Sequence, residues 1–328
     1  MMEETLGTIQ DRRPRPASRP VVRFDRRAKD SAARWSMAAL TVAATLLVPV
    51  MAVALALRAR PILAGRSIWE LLFSTAWRPL QGLFGFYPFI VGTLWVTGVA
   101  MMISVPPALL TAIYLAEYAG PRTRNLIMPL VDLLAGIPSV VYGVWGMLAV
   151  VPVVQETVAP ALGRWLGFIP LFRSDNPTGF GILAGAVVLA VMVVPIIIAV
   201  AYEVIDAVPR GLREASLALG ATRWQTIKRV VLRRSLPGVI AAVMLGFSRA
   251  FGETMAVLMV VGNIPQVPHS LFDAAYPLTA LIANNYGEMM SVPLYDAALL
   301  GAALILLSVV LGFNIVSRLV LVRLVARR

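Results

Sequence analysis

Apolar residues along this chain neither alternate nor keep to one face of a helix; they run on. Long apolar stretches occupy residues 35–57, 89–115, 126–153, 179–201, 239–261 and 297–322. Each reaches the roughly 20 residues that an α-helix needs to cross about 30 Å of hydrocarbon. Pro and Gly inside several of them suit membrane helices, where neighbouring helices re-satisfy the freed backbone groups. The first stretch exceeds the ~7–15 residue core of a secretion signal, so it is expected to remain as an anchor. The pattern predicts an all-α polytopic membrane protein with six transmembrane helices.

The polar segments between these stretches are not alike. Residues 203–238 switch to short amphipathic periods. There "LREASLAL" stops at Gly220, a helix C-terminal signal, and Thr222 with Gln225 has the spacing of a capping box that starts another helix. Such a helix–Gly–helix element is either an ordinary surface hairpin or a face offered to another protein. Residues 262–296 are long and only partly polar. Within them "LTALIANNYG" predicts a short helix dipping back toward the bundle. It serves either as a gate or partner seat, or as packing on the outer helix ends.

Composition agrees with a membrane protein. Of 328 residues, 59% are hydrophobic and 14% charged, with a mean hydropathy of +0.80; soluble domains hold nearer ~45–50% and ~25%. Cys is absent and His occurs once, which removes disulfide and thiolate chemistry and leaves no donor set for zinc. The net charge of +12 is unevenly placed. Of the 29 Lys and Arg, nine precede the first stretch, seven lie in 203–238, four lie near the C-terminal end of the last stretch or beyond it, and none lies in 262–296. The positive-inside rule then puts both termini and the 203–238 loop in the cytoplasm and the 262–296 loop outside.

Residues 1–34, with "DRRPRPASRPVVRFDRRAK", are Arg- and Pro-rich and bury too little to fold alone. They read as a disordered cytoplasmic tail lying on anionic lipid, ahead of a permease domain over 35–328. With no aromatic platform beyond Phe24, the tail gives no case for nucleic acid.

Two spans carry unusual polar residues. The run "VIAAVMLGFSRAFGETMAVLMVVGN" holds Arg249 and Glu253; the only other basic residue inside an expected span is Arg318, near the C-terminal end of the last one. Burying an Arg at a bilayer centre costs ~2.5–3.5 kcal/mol on insertion scales. Either Glu253, four residues on, neutralises it as a structural pair, or Arg249 faces a wet path that handles an anion. Gly246, Arg249, Glu253 and Ala256 form one helical stripe in this reading. In "VDLLAGIPSVVYGVWG" a second stripe runs through Asp132, Gly136, Ser139, Gly143 and Gly146. Its small residues permit close helix approach, and Pro138 is expected to kink the helix. It is a packing seam, or it meets the Arg-bearing helix around a cavity.

"EASLALGATRWQTIKRVVL", residues 214–232, resembles the EAA loop of ABC-importer permeases, with Glu214, Ala215 and Gly220 on the family pattern. Two positions depart from it: Ser216 stands for Ala, and Leu232-Arg233 for Leu-Pro. "AGIPSVVYGVWG" (135–146) and "RAFGETMAVLMVVGN" (249–263) resemble the C-type permeases of phosphate importers, and the resemblance extends from Tyr87 to Arg323. It implies a type I ABC-importer permease fold and a non-catalytic subunit without cofactor or metal, set in a bacterial plasma (inner) membrane. The implied partners are a second homologous permease, two ATP-binding subunits and an extracytoplasmic phosphate-binding protein. The substrate path would use Arg249, Glu253, Asp132 and Ser139, and Glu214, Ala215 and Gly220 would couple to the ATPase. The chain has no G-x-x-x-x-G-K-[ST] and has lysine only at 29 and 228, so it builds no Walker loop for ATP. Rival readings are a permease for sulfate or molybdate, an ion-coupled transporter relaying protons through Glu253, Asp132 or Glu117, and a membrane scaffold.

Overall fold

The structure, a computed structural model, describes residues 26–65, 67–173, 176–289 and 292–326. Its helices are α1 (Arg26–Gly65), α2 (Ile68–Phe73), α3 (Tyr87–Glu117), α4 (Pro121–Gly136), α5 (Ser139–Leu166), α6 (Ile182–Asp206), α7 (Arg210–Ala218), α8 (Arg223–Phe251), α9 (Met255–Leu258), α10 (Leu278–Asn285) and α11 (Tyr295–Ala326). A two-strand antiparallel hairpin, β1 (Trp77–Arg78) and β2 (Leu83–Phe84), pairs Trp77 with Phe84 and Arg78 with Leu83. Among the described residues, six helices are long and apolar enough to cross a membrane: Lys29–Gly65, Tyr87–Glu117, Ser139–Leu166, Ile182–Asp206, Arg223–Phe251 and Tyr295–Leu319.

Residues up to Met51 form one unit and those from Ala52 another. In the first, α1 exposes Trp35, Leu40, Leu47 and Met51, and Ser36, Thr41 and Thr45 return their hydroxyls to carbonyls of the preceding turn. Most of the tail expected over 1–34 lies outside the described residues; residues 26–34 are already helical.

The second unit is built around α3 and α6, which pack along their length. Ala100, Ala108 and Ala112 of α3 and Ala184, Ala186, Ala190 and Ala201 of α6 are all buried. In a bilayer water exclusion does not drive helices together; small side chains that let backbones approach do. α8 and α4 lie against α6, and α11 lies against α8 and α10.

Two spans differ from those expected. The stretch 126–153 is not one helix. Ile137, forced out of the helical region by the proline after it, is extended at ψ 131°, and α5 restarts at Ser139. The expected kink at Pro138 is therefore a full break, and the span is Ser139–Leu166. Within α5, Pro152 and Pro160 each delete one backbone rung, and the helix widens into π-type turns at Gly146–Val150 and Val154–Val158. The stretch 239–261 is likewise broken. α8 starts at Arg223, runs through Leu232-Arg233 without interruption, and ends at Phe251.

At one end, called here the hairpin end, Trp77 sits among aromatic rings, 4.7 Å from Phe89, 5.5 Å from Phe84 and 5.9 Å from Tyr295. Residues 262–285 fold back into this end. Phe272, Ala275, Tyr276, Leu278 and Leu281 are buried, so the segment is not a surface loop. Thr93 of α3 accepts the Leu278 N–H at 2.9 Å and fixes the start of α10.

Candidate functional site

Arg249 lies in the last turn of α8, and its direction is set by its neighbours. Gly246 and Ala250 face inward. Phe247 stacks on Phe313 of α11 at 3.7 Å and tilts on Phe251 at 4.9 Å, while the Ser248 hydroxyl donates to Asn314 at 3.3 Å. With those faces committed, Arg249 projects from the open side and is exposed on this chain. This corrects the expectation of a buried Arg.

Glu253 is not on the same helix. The chain turns at Gly252, whose N–H still bonds Arg249 O at 3.2 Å, and a new helix, α9, begins at Met255. One stripe through Gly246, Arg249, Glu253 and Ala256 therefore does not exist. Among the described residues no ion pair joins Arg249 and Glu253. Glu253 instead turns its Oε1 to the Ala256 N–H at 3.2 Å and caps α9, and its carbonyl accepts from the Thr279 hydroxyl at 3.0 Å. A cavity of about 10 Å³, lined in part by Glu253, Thr93, Thr97 and Thr279, has room for one water.

The second stripe divides at the same kind of break. Asp132 is exposed on α4, before Ile137, and Ser139 is half-buried at the start of α5, so no continuous helix aligns them. The Tyr142 hydroxyl bridges the gap by donating to Leu134 O at 2.8 Å. Beyond the break the expectation of close approach is realised. A Cβ on Gly143 would lie 2.6 Å from Met259 Sδ and 3.2 Å from Ala256 Cα, so α5 touches the segment that follows Glu253. The structure thus brings Arg249, Glu253 and the start of α5 to one region, while Asp132 stands on a separate helix, unbonded to Arg249 among the described residues.

At the opposite end the 203–238 loop folds as two helices around Gly220. α7 closes with a Schellman motif: Gly220 N–H bonds Leu217 O at 2.9 Å and Ala221 N–H bonds Ser216 O at 3.3 Å. Gly220 is left-handed at φ +84°. Thr222 and Gln225 form the reciprocal capping box at the start of α8. Ser216, the departure from the motif, is hydrogen-bonded to the Thr226 hydroxyl at 2.9 Å and so pins the two helices together. Glu214 and Ala215 are exposed, beside a run of exposed apolar side chains: Leu212, Leu217, Leu219 at 90% and Trp224 at 54%.

Sequence pattern alone does not reveal what holds this loop. Arg213 donates Nε and Nη2 to Glu117 Oε1 at 3.0 and 2.7 Å; the side chains are 18% and 8% exposed. Glu117, a candidate proton relay by sequence, is thus committed to an ion pair. The available signal was an acid at the C-terminus of a long helix, where the dipole disfavours it and a basic partner is required.

Residues 108–328 match the family described as "binding-protein-dependent transport system inner membrane component". The chain is 38% identical to the phosphate transport system permease protein PstC of Pasteurella multocida, over 78% of this chain and 80% of that protein. It is 37% identical to PstC of Haemophilus influenzae over 77% and 80%, and 40% identical to the probable ABC transporter permease YqgH of Bacillus subtilis over 68% of each. Among solved structures it resembles a chain of a bacterial alginate ABC transporter, with TM-score 0.57 and 17% identity over 88% of this chain and 94% of that one. It also resembles a chain of the MetNI methionine ABC transporter, with TM-score 0.52 and 20% identity over 71% and 93%. The fold is that of an ABC-importer permease, a multi-pass membrane protein. The chain belongs to the binding-protein-dependent transport inner membrane component family.

Proposed function

We propose that this chain is the C-type permease subunit of an ATP-driven phosphate importer in a bacterial inner membrane. The likeness to PstC proteins over nearly four-fifths of the chain carries the reading. The Gly220 turn supports it by presenting a small apolar face, Leu217, Leu219 and Trp224, at the tip of a well-capped loop. In this reading α7 and the start of α8 dock on an ATP-binding subunit. A second, homologous permease covers the open side of α4, α5 and α8, and an external phosphate-binding protein delivers substrate at the hairpin end. Arg249 then faces the path between the two permeases. Its guanidinium stays charged at every relevant pH and offers a planar pair of donors to an oxyanion.

The test is purification of the tagged chain from its native membrane, with inorganic phosphate uptake measured in cells lacking it. Recovery of two ATPase subunits and a second permease, with phosphate uptake lost on deletion, is the expected result. Sulfate or molybdate uptake lost instead would reassign the substrate.

Sidedness is tested separately. The natural chain has no cysteine, so single exposed cysteines report cleanly. Glu288→Cys should react with a membrane-impermeant maleimide from outside intact cells, and Ala218→Cys only after permeabilisation. The reverse pattern would invert the topology.

A further inference from the structure

The docking face just described makes no use of Glu117, yet this residue accepts bonds from two arginines, Arg213 and Arg223, at the Gly220 end. α3 and α6 both finish here, and each helix end leaves carbonyls without intrahelical donors. Three arginines from three other elements supply them. Arg213 of α7, besides its two bonds to Glu117 Oε1, donates to Ile205 O at 3.0 Å and to Val208 O. Arg223, at the start of α8, donates to Glu117 O and lies 4.7 Å over the Tyr118 ring. Arg124, at the start of α4, donates to Leu115 O and Ala116 O at 3.2 Å each and sits 3.6 Å from Asp206. Cations on helix C-terminal carbonyls also meet the favourable end of the dipole.

The covalent routes from α7 into the bundle are the short link 207–209 and the Gly220 turn. A helix held by those alone would swing about Pro209. Arg213 closes that hinge: it grips Val208 O, on the link itself, together with the carboxylate at the end of α3 and a carbonyl near the end of α6. α3 and α6 are the helices that pack most extensively on each other, and α8 carries Arg249 at its far end.

We propose that Glu117 and Arg213 form a tether that makes α7 move as one body with α3 and α6, so that displacement of α7 by the ATPase is delivered directly to the walls of the path. The inference rests on the reading of 210–226 as the ATPase docking element. Glu117 and Arg213 are positioning residues in it, acting through α7.

Two measurements on the assembled importer test it. In Glu117→Gln the bonds to Arg213 lose their charge. ATPase subunits should co-purify as with the natural chain, while inorganic phosphate moved per ATP hydrolysed falls by on the order of ten-fold, the size of an ordinary coupling between sites. Arg213→Lys keeps the charge but loses the fork and should fall between the two. A purely stabilising role would instead lower the yield of complex and leave the surviving complex normally coupled, which overturns the tether. The second measurement needs no disruption of the pair. With Tyr114→Cys and Ala218→Cys, both at exposed positions of α3 and α7, spin labels should give the same distance in nucleotide-free and ATP-trapped importer. A distance that changes between these states overturns the tether. Absence of ATPase subunits from the unmodified complex would overturn the docking reading and the tether with it; normal coupling in Glu117→Gln with ATPase bound overturns the tether alone.

Discussion

Arg249→Gln is expected to lower phosphate uptake by about a hundred-fold or more while the chain inserts and assembles normally. The magnitude follows from the chemistry. Hydrogen bonds to a charged group contribute ~1.5–3 kcal/mol each, and a guanidinium meets an oxyanion with two; about 3 kcal/mol is roughly two powers of ten in rate. Assembly should survive because α8 is held at this level by Phe247 on Phe313, by Ser248 on Asn314 and by the inward face of Ala250, none of which involves Arg249. Arg249→Lys retains charge without the planar fork and should transport poorly.

Glu253→Gln is expected to be milder than either. The amide oxygen can still accept the Ala256 N–H that caps α9, and the backbone bond from Thr279 is unaffected. The double variant, Arg249→Gln with Glu253→Gln, separates two pictures. If the two residues were a neutralising pair, removing both charges would leave nothing unpaired and transport would recover. The break at Gly252 and the separate tasks of the two side chains predict that the double variant stays at the level of Arg249→Gln. Uptake restored toward the natural level, at equal expression, would sink the path role of Arg249.

The two halves of this site were unequally legible in the sequence, for physical reasons. The Gly220 loop is local: a C-terminal glycine, a capping box three residues wide and an amphipathic run all act within one or two turns, and the structure has each of them. Span existence was equally plain, because hydropathy sums over about 20 residues. That same averaging hides breaks. Ile137–Pro138 and Gly252–Thr254 interrupt helices without pulling a 20-residue average out of the apolar range, so 126–153 and 239–261 read as continuous, and the stripes drawn across both gaps put residues on shared faces that they do not share. Leu126, Leu130 and Leu133 of α4 are exposed on this chain, which a hydropathy window cannot distinguish from burial in a span. The Arg213–Glu117 bond joins residues 96 positions apart. No periodic pattern carries such a pair; only the acid at the end of α3 hinted at it.

Gly220→Val should abolish coupled transport while leaving a chain that still inserts. At φ +84° a β-branched residue pays the left-handed penalty of roughly 1–2 kcal/mol, and no atom within 4 Å of the missing Cβ adds a clash. The cost therefore falls on the turn and not on the bundle. To escape it, the backbone must leave the left-handed region, which breaks the bonds from Gly220 N–H to Leu217 O and from Ala221 N–H to Ser216 O. The angle between α7 and α8 then changes, and the exposed faces of Leu217, Leu219 and Trp224 no longer form one surface. Opening the turn also strains the Ser216–Thr226 hydroxyl bond, which spans it. A graded series isolates the conformational term. Gly220→Asn, which tolerates the left-handed region, should keep most activity; Gly220→Ala should lose part of it; Gly220→Val should lose nearly all of it, with ATPase subunits released from the purified permease. Equal loss in the Asn and Val variants would mean that the Gly220 surface itself, and not its backbone conformation, is what the partner requires. Full transport in Gly220→Val would remove this turn from the docking element altogether.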